Sequence, residues 1–192
     1  MGLGTFAAEL ADADYEVVAI SPDETQVKLA DTLAAERPKL SVLALAFEQM
    51  PGRSEDSFDV VLLQESAQYI GLNDLFTGAA ALLREQGRLM LLDEVALGRS
   101  ADGLQNLHLL ADIKAHAQRL GFSLVHEQDL SREAAPTVDF LLEHLPCLRD
   151  PLIRALRLDP TALDYLQTAL QAYRAEYAAG RFGYVALNFT MS

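Results

Sequence analysis

The residues best suited to chemistry fall into three short groups. Gly2-Leu3-Gly4 opens the chain ahead of an amphipathic run, residues 5–11. Two glycines entering a helix let a ligand approach the backbone and meet the free N–H groups at the helix start. The second group, Gln64-Glu65-Ser66-Ala67-Gln68-Tyr69, directly follows the apolar run FDVVLL at 58–63. Glu65 can steer a cation or accept a proton there, and Tyr69 can hydrogen-bond a ligand. The plainer account of this group is loop solvation and capping of the next helix. The third group, Asp93-Glu94, ends the run RLMLLDEV at 88–95. It can bind an amine or a hydroxyl, or stand as an exposed strand end.

The remaining reactive side chains suggest no metal centre. His108 and His116 are eight apart on one expected helix, 104–119, which is not the i, i+4 pair of a zinc site. His126 and His144 lie elsewhere, and His144 reads as a surface or packing residue. Cys147 is the only cysteine, so no intramolecular disulfide or multi-cysteine zinc site forms.

Composition narrows the partners. The chain has 192 residues, is 51% hydrophobic, and carries a net charge of −13. It has ample apolar material for a core. Its acidity repels phosphate backbones and anionic lipid surfaces, so neither nucleic acid nor a membrane surface is an expected partner. No apolar run approaches the roughly 20 residues of a spanning helix, and no signal peptide is visible. These features lead us to expect a soluble cytoplasmic protein.

The elements that position the three groups alternate. Strands are expected at 15–20, 41–46, 58–63, 88–95 and 122–128, from short apolar and β-branched runs. Helices are expected at 25–36, 73–85 and 104–119, with Gly87 and Gly121 closing the last two. Such alternation builds an α/β fold, a mostly parallel sheet with helices on both faces. Residues 130–179 differ: they hold helices only, punctuated by Pro136, Pro146, Pro151 and Pro160. We read 130–179 as a helical cap inserted before a last strand at 180–191, all within one domain spanning 1–192. Its apolar residues, among them Phe140, Leu141, Leu145 and Tyr173, pack onto the sheet, meet an organic ligand, or form an interface between copies of the chain.

Four patterns in order carry a family resemblance: Gly2-x-Gly4 before a helix, Ser21-Pro22-Asp23-Glu24 after a strand, the FDVVLL run, and Leu83-Arg84-Glu85-Gln86-Gly87-Arg88-Leu89. Together they resemble the class I S-adenosylmethionine-dependent methyltransferases, in particular the small-molecule and lipid branch. The resemblance implies a Rossmann-like sheet with an antiparallel final strand. It implies S-adenosylmethionine as cofactor and a small organic or lipid-like molecule as methyl acceptor. It places Gly2, Gly4, Ser21, Phe47, Glu48 and Gln64 around the cofactor, with Glu65 and Tyr69 as the catalytic candidates facing the acceptor. The cap is expected to fold as a lid over the rim built by 64–69 and 93–94, with Phe140, Leu141 or His144 pointing towards that rim.

The departures are specific. The family's first strand, which lies mid-sheet, would fall before Met1. We therefore expect either an N-terminally truncated chain with a gap in its sheet or neighbouring strands that pair directly. Ser21 stands where the family has an acidic residue, and Ala46 where it often has aspartate. A non-catalytic domain of the same fold is thus the alternative reading. A dinucleotide oxidoreductase fits the final strand and the FDVVLL context less well.

Overall fold

The computed structural model describes residues 2–52, 58–98, 107–156 and 159–191. The first half alternates as the apolar runs require: α1 (Thr5–Asp12), β1 (Val17–Ser21), α2 (Glu24–Ala34), β2 (Leu40–Ala44), β3 (Phe58–Gln64), α3 (Leu72–Leu82) and β4 (Leu83–Ala96). Then follow α4 (Leu110–Arg119), β5 (Phe122–Asp129), α5 (Ser131–Leu156), α6 (Pro160–Ala178) and β6 (Phe182–Met191). Single 3-10 turns occupy Phe47–Gln49 and Ala67–Tyr69. No helix among the described residues is long and apolar enough to cross a membrane.

Among the described residues the strands form two sheets. β1 pairs in parallel with β2, while the second sheet has the order β3-β4-β6-β5. β3 and β4 are parallel, and β6 runs antiparallel to both of its neighbours, as expected for the final strand. Among the described residues no ladder joins β1 to β3, so the alternative of direct pairing between these strands is not what the structure adopts.

The core of the larger sheet lies on the face covered by α3 and α4. Phe76 is fully buried there, 5.5 Å from the Phe122 ring and 5.7 Å, edge-on, from Phe189. Leu75, Leu83, Leu89, Leu91, Leu187 and Phe189 complete the same cluster. The smaller sheet packs Ala19 and Leu40 against Ala8 and Ala11 of α1. The Arg37 guanidinium grips Asp12 through two N–H···O bonds of 2.9 Å and ties the end of α2 to the end of α1.

Three expectations change. α3 ends at Leu82, not at a cap on Gly87, because Leu83 already pairs with Phe58 in the sheet. Gly87 lies inside β4, where a Cβ would fall 2.8 Å from the Arg84 carbonyl oxygen. The helix expected over 104–119 begins at Leu110, so His108 precedes it; residues 104–106 of that expectation lie outside the described residues. Pro136, Pro146 and Pro151 do not divide the inserted segment into short pieces. All three sit inside the 26-residue α5. Each removes one N–H from the helical ladder, and apolar packing of buried Val138 and Leu145 offsets that loss.

Phe76→Ala removes the ring that three elements share. We expect it to lower unfolding stability by about 3–5 kcal/mol, measured by urea denaturation monitored by circular dichroism.

Candidate active site

The site is organised by one buried carboxylate. Asp93, near the end of β4, is 3% exposed. Its Oδ2 accepts hydrogen bonds from the backbone N–H groups of Ser66 (2.9 Å) and Ala67 (2.6 Å), and its Oδ1 from that of Glu94 (2.9 Å). The turn after β3 is therefore fastened to the neighbouring strand by a charge-assisted cluster. Burial raises the Asp93 carboxyl above the usual aspartate range, and the donated N–H bonds only partly offset this. His108 fastens the other side of the same turn: its Nε2–H points at the carbonyl oxygens of Ala67 (3.1 Å) and Ile70 (2.8 Å). Both partners are acceptors, so Nε2 carries the proton. Asp93 is thus not the exposed strand end that its position suggests, and His108 is a structural clamp.

The clamped turn presents Glu65 and Tyr69. Glu65 has φ +50 and donates its backbone N–H to the Leu92 carbonyl at 2.8 Å. Its carboxylate accepts a hydrogen bond from the Tyr184 hydroxyl at 3.1 Å. Tyr69 is 79% exposed. Tyr184 lies on β6 directly opposite Glu94 of β4, on the same face of the sheet. Glu94 in turn accepts a 2.9 Å hydrogen bond from the Tyr177 hydroxyl of α6. Desolvation raises the Glu94 carboxyl above its ordinary range, opposed by the Tyr177 bond and reinforced by Asp93 and Glu65. Burial pushes the Tyr177 and Tyr184 hydroxyls well above the ordinary tyrosine range, with the facing glutamates adding to the effect.

The inserted helices meet this rim through α6. Tyr173 and Tyr177 pack edge-on against Phe182, which pairs with Ala96 at the end of β4. Phe140 and Leu141 of α5, expected to point at the rim, are exposed. His144 stacks on Phe140 at 4.1 Å and directs Nδ1 to the Phe140 carbonyl. Tyr173 belongs to the apolar set expected in the cap, whereas the hydrogen bonds of Tyr177 to Glu94 and of Tyr184 to Glu65 had no signal in the sequence.

The residues expected at the cofactor take different positions. Gly2 has φ +57 with no atom within 4 Å of an added Cβ, so it opens on free space. Gly4 has φ +83, and a Cβ there would lie 2.7 Å from Ala30 Cβ. Its lack of a side chain thus serves the packing of α1 on α2, and it caps α1 without a side-chain hydrogen bond. The Ser21 hydroxyl is buried, donates to Gln26 Oε1 at 2.9 Å and accepts from the Asp23 N–H at 3.2 Å. Asp23 caps α2, accepting from the N–H groups of Thr25 and Gln26. Phe47 packs on Gly78 of α3, where a Cβ would approach its Cε1 to 2.7 Å. Exposed Glu48 shares the shallow groove beside it with Asp74 and Thr77. Gln64 is exposed at the carboxyl end of β3.

Residues 1–91 match the model of the methyltransferase domain family. That stretch holds the glycine turn, β1, β2 and the rim turn. That match spans 91 of the 192 residues and shows the likeness of this part of the chain to the family. The whole chain has the fold of class I S-adenosylmethionine-dependent methyltransferases. It superposes on a cyclopropane synthase from Mycobacterium tuberculosis with a TM-score of 0.85, at 16% identity over 98% of this chain and 75% of that one. A putative sarcosine dimethylglycine methyltransferase from Galdieria sulphuraria gives 0.88, at 15% identity over 100% and 75%. A geranyl diphosphate C-methyltransferase from Streptomyces coelicolor, solved with Mg2+, geranyl diphosphate and S-adenosyl-L-homocysteine, gives 0.78, at 16% identity over 100% and 68%. Among curated proteins none matches the sequence. In this methyltransferase fold the ends of the parallel strands share one rim, where ligands bind open α/β sheets.

Two outcomes follow for the rim. Asp93→Ala leaves three backbone N–H groups without their acceptor and is expected to cost about 3 kcal/mol. Urea denaturation would measure the loss, and faster hydrogen exchange at Ser66 and Ala67 would localise it. Glu94→Gln keeps an acceptor for Tyr177 and removes a carboxylate whose ionisation burial opposes. Because the folded pKa is raised, the ionisation penalty is absent below the ordinary value of 4.5 and develops as pH rises through the raised value. Glu94→Gln should therefore raise Tm at neutral pH and give no gain below about pH 4, as read by calorimetric scans across pH.

Proposed function

We propose that the chain is an S-adenosylmethionine-dependent methyltransferase acting on a small organic or lipid-like acceptor. The observation that carries this reading is the Gly2–Gly4 turn. Gly2 opens on free space, and Gly4 leads into α1 without a capping side chain. The first N–H groups of α1 and the positive end of its dipole suit a carboxylate such as that of the cofactor's amino-acid end. Gln64, at the end of β3, supplies an amide on the rim. Ser21 offers its remaining acceptor lone pair, and Phe47 and Glu48 border the same end of the fold.

The cofactor supplies an electrophilic methyl group when bound. The chain's own task is to orient the acceptor and exclude water, so no catalytic triad is required. Glu65 faces the acceptor in this reading and takes its proton where one must leave. Its left-handed backbone costs about 1 kcal/mol, and strain of this kind concentrates at functional sites. Tyr69 lines the acceptor side, and the α5–α6 segment acts as a cap. The Tyr177–Glu94 bond supports that placement of the cap.

One observation favours a second reading, a non-catalytic domain of the same fold. At the end of β1 both polar side chains, Ser21 and Asp23, are engaged within the chain.

Calorimetric titration with S-adenosylmethionine and assay of S-adenosylhomocysteine release separate the two. Gly2→Asn tolerates the left-handed backbone while placing a side chain in the open space. It should weaken cofactor binding about tenfold with little change in Tm. Glu65→Gln should slow turnover about 10- to 100-fold, with cofactor affinity kept within about twofold. Absence of cofactor binding by the unaltered chain would favour the second reading.

A further inference from the structure

We propose that the acceptor taken at this rim carries an alkylammonium group, held between the carboxylates of Glu65 and Glu94 and the rings of Tyr173, Tyr177 and Tyr184; the atom that takes the methyl, a hydroxyl oxygen or an amine nitrogen, first gives its proton to Glu65 so that a lone pair is free, and the cofactor's thioether sulfur leaves with the electron pair of the broken bond. This inference rests on the methyltransferase reading above and names the class of its acceptor.

The first support is an imbalance of charge. Elsewhere several cations are paired with carboxylates: Arg37 with Asp12, Lys39 with Asp14, Lys114 with Glu127, Arg149 with Asp164 and Arg181 with Glu176. Among the described residues none of the ion pairs involves Glu65, Asp93 or Glu94. Asp93 is satisfied by backbone N–H groups. Glu94 is half-buried and, among the described residues, accepts its side-chain hydrogen bond from a neutral hydroxyl. A carboxylate withdrawn from water without a counter-charge is costly, and a bound cation removes that cost.

The second support is the aromatic side chains that flank these carboxylates. Tyr173 and Tyr177 pack edge-on against Phe182, at 5.3 and 6.5 Å between ring centres. Tyr184 stands beside Glu94 across the β4–β6 pair. The two hydroxyl groups that donate to carboxylates, those of Tyr177 and Tyr184, anchor their rings beside the charges. Tyrosine rings held close to carboxylates suit an alkylammonium group, which rings attract by cation–π interaction and carboxylates by charge. An anionic or purely hydrocarbon acceptor gains nothing from this arrangement. A phosphorylated one is repelled by it.

The test uses choline and its uncharged isostere 3,3-dimethylbutan-1-ol, titrated into the chain saturated with S-adenosylmethionine. Calorimetry is the main readout. Tyrosine emission is a second, since the chain has six tyrosines and no tryptophan. Choline should bind at least about tenfold more tightly than the isostere. Tyr177→Leu and Glu94→Gln should each weaken choline about fivefold or more, while Tyr177→Phe, which keeps the ring, should stay within about threefold. Equal affinity for the isostere, or no loss in Tyr177→Leu, overturns the inference. So does choline binding that appears only without S-adenosylmethionine, because the carboxylates then serve the cofactor's sulfonium. Cofactor binding without choline preference overturns this inference alone. Failure of cofactor binding overturns the reading on which it rests.

Discussion

The carboxylate of Asp93 fixes the rim. It is buried, it belongs to β4 of the larger sheet, and it accepts three backbone N–H bonds, two of them from the turn that follows β3. A turn after a strand is ordinarily a mobile surface loop. Here it is bolted to a neighbouring strand on one side and clamped by His108 on the other. Glu65 and Tyr69 project from a rigid base as a result. The burial that makes the bolt also raises the aspartate's pKa.

From that base the site grows by adjacency in the sheet. β6 inserts antiparallel beside β4 and brings Tyr184 opposite Glu94. The chain reaches β6 only after α5 and α6, so the strand that supplies Tyr184 and the helix that supplies Tyr177 arrive together. Arg181 and the buried Glu176 brace this junction with hydrogen bonds of 2.6 and 2.8 Å. α6 and the rim are in this way joined, and a change in α6 acts on Glu94 directly.

The two glycines of the turn ahead of α1 serve different ends. Gly4 is needed because α1 approaches Ala30 too closely for a side chain, whereas Gly2 faces open space. Only the second of these leaves backbone free for a ligand. A glycine pattern read from sequence merges both demands, because close packing and ligand approach each exclude a Cβ.

The sequence by itself determined the alternation of strands and helices, since apolar runs and helical stripes report local burial. It also carried the resemblance to the methyltransferases, through the glycine turn, the turn of 21–24, the FDVVLL run and the 83–89 pattern. It put Glu65 just past the carboxyl end of an apolar strand, the end at which open α/β sheets bind ligands. It did not determine which polar residues were already spent: Ser21, Asp23 and Asp93 look available until their partners, at Gln26, in the first turn of α2 and in the 66–67 backbone, are known. It did not determine that three prolines would remain inside α5, because tertiary packing overrides local preference. The tyrosine–glutamate rim was likewise decided only by tertiary structure. Tyr177 and Glu94 are 83 residues apart, and Tyr184 and Glu65 are 119 apart. No periodicity reaches across such separations. The pairing of β6 between β4 and β5 creates these contacts, and that pairing depends on burial summed over the whole sheet.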